Sequence, residues 1–108
     1  ADALVFGTPI YFDHISDRAK LFIDRMVRLA DPSVKKRFPK NIPSVLVITY
    51  GDKRATLYDD VLSWLEGILK YFNNVRVVAT LKAADTKDKK MAERKDLLDK
   101  ALQIGRNL

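Results

Sequence analysis

Three apolar runs, each followed by a turn and then by apolar residues at helical spacing, constrain this chain more than any other feature. The first is Ala3-Leu4-Val5-Phe6-Gly7, the second SVLVIT at residues 44–49, the third VRVVATL at residues 75–81. The first two do not alternate between apolar and polar residues, which predicts strands buried on both faces. Ser16 is placed to cap a helix, and Asp17 suits its first turn. Ala19, Phe22, Met26 and Leu29 then form a stripe that stops at Asp31-Pro32. Residues 56–72 read as a second helix. Val61, Leu65, Ile68 and Phe72 make its stripe, Leu62 and Leu69 widen it, and Asn73-Asn74 ends it. A third helix spans residues 91–107, with Leu97 or Leu98, Ala101, Ile104 and Leu108 on one side.

The order is βαβαβα. Strands that alternate with helices predict parallel strands, with the helices as right-handed crossovers on the sheet faces. Three parallel strands leave both sheet edges open. The first strand, Ala3 to Gly7, is almost wholly apolar, so it is expected to need a pairing partner. The segment SVKKRFPKNIP, residues 33–43, carries two prolines and four basic residues and reads as a surface loop, pinned to the body by Phe38. Residues 84–90 form a polar connection.

A length of 108 residues suits one domain, residues 1–108. There is no cysteine, which excludes disulfides and thiolate metal sites, and a cytoplasmic location is expected. No metal site is predicted. No apolar run approaches the ~20 residues that span a bilayer, so no membrane association is expected. The net charge of +6 is spread along the chain without a nucleic-acid recognition motif, and no nucleic-acid partner is expected. The chain opens Ala1-Asp2 inside what reads as a strand. This predicts a processed chain or a preceding part that is not included.

Ligands of open α/β sheets bind beyond the carboxyl ends of the strands. Two sequences lie there, residues 8–15 and residues 50–54. Tyr11, Phe12 and Tyr50 offer flat apolar surface and the turns offer backbone N–H groups, a combination that suits a planar heterocycle. The alternative is that Tyr11 and Phe12 cover the sheet top. His14, between Asp13 and Asp17, reads as a surface residue rather than a catalytic one.

The stretch ADALVFGTPIYFDHISDRAKLFIDRM, residues 1–26, resembles the central signature of the NADPH-dependent FMN reductase family, in its iron-sulfur flavoprotein and multimeric flavodoxin branch. The residues that carry the resemblance are Ala1-Asp2, Gly7-Thr8-Pro9, Tyr11, Lys20, Phe22, Asp24 and Arg25. It implies a three-layer flavodoxin-like α/β fold. This chain would supply strands 3, 4 and 5 of a parallel 2-1-3-4-5 sheet, the C-terminal portion of the domain. It implies an FMN-dependent oxidoreductase with NADPH or NADH as co-substrate, in which the flavin carries the chemistry and no protein side chain is catalytic. The flavin contacts it implies are Thr8, Pro9, Ile10, Tyr11, Phe12, Asp13, His14 and Ile15 from the first loop, and Tyr50, Gly51 and Asp52 from the second. Lys53 and Arg54 read either as contacts to the NADPH phosphate or as a solvated turn.

Asp13 and His14 stand where members often carry a small residue and Asn. A carboxylate there would disfavour the anionic reduced flavin. No Ser/Thr/Gly-rich phosphate loop occurs in the chain, nor the cysteine cluster of the iron-sulfur branch. The portion alone is therefore expected to hold FMN weakly and to be weakly active or inactive, with the phosphate site supplied from elsewhere. The alternative is a non-catalytic module that forms a homo-oligomer through the first strand.

Overall fold

Parallel pairing organises the molecule. A computed structural model describes residues 2–37, 39–71 and 74–108. The roles expected for Ala1, Phe38, Phe72 and Asn73 lie outside the described residues. Strand β1 (Leu4–Tyr11) pairs parallel with β3 (Ile42–Thr49), and β3 pairs parallel with β4 (Val75–Ala83). A two-residue strand β2 (His14–Ile15) folds back antiparallel on the end of β1, so the sheet is mixed, in the order β2-β1-β3-β4. Helix α1 (Asp17–Arg25), the one-turn helix α2 (Pro32–Lys35) and α3 (Asp59–Tyr71) complete the two crossovers, and α4 (Lys95–Arg106) closes the chain.

The core lies on one sheet face. Phe6 from β1, and Leu46 and Ile48 from β3, meet Ala19 and Ile23 of α1 and Val61, Leu62, Leu65 and Leu69 of α3. Leu46, Ile48, Leu65 and Leu69 are fully excluded from solvent, and each such aliphatic side chain contributes about 1.5–3 kcal/mol of transfer free energy. Of the expected α3 stripe Val61 and Leu65 are buried and Ile68 only half-buried, while Leu62 and Leu69, expected to widen it, are buried with them. The α1 stripe is rotated: Ala19 and Ile23 are buried, while Phe22 sits at the rim with its ring tilted against Phe6 at 5.6 Å. On the opposite face Val45, Leu81 and Ala83 are buried, but no residue of α4 is.

Several boundaries differ from the sequence reading, each for a local reason. After Arg25 the chain tightens into a 3-10 turn, Met26–Ala30. Asp31 then caps α2, accepting the Ser33 N–H at 2.9 Å, with Pro32 in the first helical position, where a missing N–H costs nothing. A helix turn therefore forms where a loop was expected. Strand β3 starts at Ile42 and includes Pro43, which precedes the first β1–β3 partner, Ser44, and so lies beside β4 only. Helix α3 starts at Asp59 rather than residue 56. A register shift between Ser44 and Val45 leaves Val78 as the extra residue of a bulge in β4, half exposed.

On its other side β1 meets β2 only through Ile10 and Tyr11. Among the described residues the β1 edge from Leu4 to Pro9 faces no strand, and Val5 is largely exposed. Among the same residues no helix is long and apolar enough to cross a membrane.

Candidate functional site

Because β1, β3 and β4 are parallel, the segments that leave their carboxyl ends gather at one end of the sheet. Residues 8–15 form a tight hairpin there. Tyr11 opposes His14, so the turn is only Phe12-Asp13, and both have positive φ, 48° and 67°. Two-residue hairpins of this kind favour Asn-Gly or Asp-Gly, because left-handed backbone is costly for a side chain with a Cβ. Phe12-Asp13 lacks that signature, which is why β2 was not legible in the sequence. The result is a strained tip that holds an aromatic ring wholly in solvent: Phe12 is 104% exposed, and Tyr11 beside it is 61% exposed.

The root of the hairpin is fixed by hydroxyls. Thr8 Oγ1 accepts the Ser16 N–H at 3.2 Å, lies 3.3 Å from Ser16 Oγ and donates to the Pro9 carbonyl at 2.9 Å. Ser16 Oγ in turn accepts the Ala19 N–H at 3.2 Å and caps α1. Ile15 is buried in the core, and Pro9 and Ile10 are half-buried along β1. His14 is exposed and meets the Trp64 ring edge-to-face at 4.9 Å.

The second wall comes from residues 50–60. Tyr50 is buried, and its hydroxyl is shared between the carbonyls of Arg54 and Ala55 at 3.0 and 3.1 Å. Its ring therefore supports the turn from below, and burial pushes its hydroxyl pKa up. Gly51 is exposed, and a Cβ there would come within 3.5 Å of Lys87 Cβ. Asp52 takes a two-pronged pair from Arg54, at 3.0 and 2.9 Å, together with the Arg54 N–H at 2.9 Å. These bonds hold its carboxyl far below the usual carboxylate range.

The two walls touch through Tyr58. Its hydroxyl donates to Asp13 at 2.8 Å, which raises its pKa, and its ring stands edge-on to Tyr50 at 4.9 Å. Asp13, Asp52, Arg54, Leu57, Tyr58 and Asp60 line a polar recess of about 440 Å³. Behind it Lys82 pairs with Asp59 at 2.6 Å. The sequence reading missed Leu57, Tyr58 and Asp60. The signal was available, since a helix that follows a strand must begin at that strand's carboxyl end.

No family model, curated protein or solved structure matches the chain.

The recess therefore has to be read from its own chemistry. It holds three carboxylates and one guanidinium, and that guanidinium is already committed to Asp52. One of these carboxylates, Asp60, together with Asp59, occupies the first turn of α3, where an anion would otherwise find the helix N-terminus. A phosphate is poorly accommodated. Neutral N–H donors are well accommodated, and the exposed aromatic tip next to them can cover a flat face. Among the described residues no group of three His, Cys, Asp or Glu side chains is arranged to hold a metal ion.

Proposed function

We propose that this chain is the strand 3-4-5 part of a flavodoxin-like domain, and that its hairpin and the Tyr50–Asp52 turn receive the isoalloxazine ring of FMN. The observation that carries this reading is the strained hairpin tip. It exposes Tyr11 and Phe12 directly beside a recess rich in hydrogen-bond acceptors. Left-handed backbone in two consecutive non-glycine residues is retained only where the surroundings over-determine it, and such positions concentrate at ligand sites.

The residues suit the ring better than the phosphate. The carboxylates of Asp13, Asp52 and Asp60 can accept the N–H of a pyrimidine edge, and Tyr11 and Phe12 can lie on an apolar face. The phosphate would need a cradle of N–H groups from two further strands, from a second chain or from a preceding segment. When bound, the flavin supplies hydride and electron transfer with NADPH or NADH. The protein's part is to orient the ring with the hairpin, keep water from one face of it, and fix its edge through Asp13 and Asp52. Negative charge at that edge disfavours an anionic reduced ring. The Tyr58 hydroxyl, by donating to Asp13, takes up part of that charge.

The experiment is an FMN titration followed by flavin fluorescence, with mass in solution measured on the same sample, for the native chain and for Phe12→Ala. Losing one stacked aromatic should weaken binding about tenfold, equivalent to ~1.4 kcal/mol. Equal affinity in the variant would remove the hairpin from the flavin site. The open β1 edge favours a second reading, a homo-oligomer formed by pairing of that edge with its two-fold copy, without a cofactor. A defined oligomer that takes up no FMN would select it.

A further inference from the structure

The opposite end of the sheet carries a larger and chemically different cavity. It measures about 800 Å³, within the range of small-molecule sites, which is roughly 300–1,000 Å³. Its floor is Leu4, Ile42 and Val75, the first residues of β1, β3 and β4. Met26 and Leu29 of the 3-10 turn and Val34 of α2 form a wall. The rim is basic: Arg25, Arg28 and Arg37 also line it. None of the three makes an ion pair within 4 Å among the described residues. The carboxylate that feels one of them, Asp31, is held at the start of α2 by Ser33 and responds to Arg28 only through space.

A second, independent feature marks this cavity. Asn74, which lines it, is 2% exposed. Its Nδ2 donates to the Pro39 carbonyl at 3.0 Å, which fixes the amide orientation and turns Oδ1 into an acceptor with no donor. A buried acceptor left without a partner costs about 1–3 kcal/mol, so one is normally supplied from outside the chain. Apolar walls and a rim of unpaired guanidinium groups describe a ligand with an apolar body and an anionic head, and the orphan acceptor marks the buried end of the cavity as one that takes up a hydrogen-bond donor such as water.

We propose that this cavity binds an anionic amphiphile, an aliphatic or aromatic acid whose apolar body lies on Leu4, Ile42 and Val75 and whose acid group is met by Arg25, Arg28 and Arg37. The ionised head has no hydrogen to donate, so a water trapped beneath the ligand satisfies Asn74 Oδ1. The site is independent of the flavin reading, because it lies at the other end of the strands.

The test uses the intact chain and three single-chain probes of equal length: decanoate, decanol and decyltrimethylammonium. Each is titrated against bound anilinonaphthalene sulfonate fluorescence and followed by amide and methyl NMR. Decanoate should bind at least about tenfold tighter than either other probe. It should shift the Asn74 side-chain amide and the Leu4, Ile42 and Val75 methyls, and leave Tyr50 and Tyr58 unmoved. The variant Arg25→Gln, Arg28→Gln, Arg37→Gln should lose about tenfold in affinity. A charge-matched variant of distant lysines, Lys87→Gln, Lys95→Gln, Lys100→Gln, should lose none. Equal binding of the cationic probe, equal losses in the two triple variants, or shifts confined to the Tyr50 end would overturn the proposal. Binding to phosphatidylglycerol vesicles without binding of monomeric decanoate would also overturn it, and would assign this end to a membrane surface.

Discussion

Replacing Thr8 with valine tests how the candidate site is built. Thr8 is 3% exposed and its hydroxyl accepts the N–H of Ser16, itself buried. Valine keeps the shape and removes the oxygen, so the Ser16 N–H is left buried without an acceptor, at a cost of about 1–3 kcal/mol. The added methyl returns less than ~0.8 kcal/mol, the value of a buried methylene. A net loss of roughly 1–2 kcal/mol follows, and in urea, with a slope of about 1–1.5 kcal/mol/M for a chain this size, the midpoint falls by about 1 M. Ser16→Ala alone removes the α1 cap, worth ~1 kcal/mol. Because Thr8 and Ser16 form one relay to the Ala19 N–H, the double variant should be non-additive by about 0.5–1 kcal/mol. Urea melts of the four proteins by circular dichroism supply the cycle. A Thr8→Val midpoint within about 0.2 M of native, with strict additivity, would mean that the hairpin root is held by something other than these hydroxyls.

The Tyr58 hydroxyl has a raised pKa in the folded chain, so its contribution is complete below the ordinary tyrosine value of 10.0 and is lost as pH rises through the folded value. Stability measured against pH should fall above about pH 10, and Tyr58→Phe should flatten part of that fall, Tyr50 supplying the remainder. Identical profiles would remove the Asp13 bond from the account. Leu65→Ala should cost about 2–5 kcal/mol, while Leu102→Ala, on the exposed side of α4, should stay within about 0.5 kcal/mol. Comparable losses would show that α4 is anchored to the sheet as firmly as α3.

The strands and helices were legible because their signals are local. Apolar runs such as SVLVIT and the Val61, Leu65 spacing, widened by Leu62 and Leu69, depend only on which face meets the core. Parallel order followed from the alternation of elements. What escaped were features decided by partners far along the chain or by backbone strain. Ile23 displaced Phe22 from the α1 stripe because both positions fit the period, and only packing against α3 and the sheet chooses between them. The Phe12-Asp13 turn broke the usual turn composition. Tyr50 looked like a binding surface by its place after β3, but its hydroxyl finds two carbonyls beneath the turn and draws the ring inward. The Tyr58–Asp13 bond links positions 45 apart, beyond any local pattern. The basic end was visible only as charge until α2 and the 3-10 turn brought Arg25, Arg28 and Arg37 to the cavity that Asn74 also lines.

Strands β1, β3 and β4 lie side by side in the order in which they leave the ribosome. Among the described residues, β4 does not insert between two strands that are already paired. Each new βα unit adds at the same growing edge, so β1 and β3 can close on α1 while β4 is still being synthesised. The edge that receives additions is therefore the β4 side. Among the described residues the other flank of β1 is paired only by the two residues of β2, which are made directly after it.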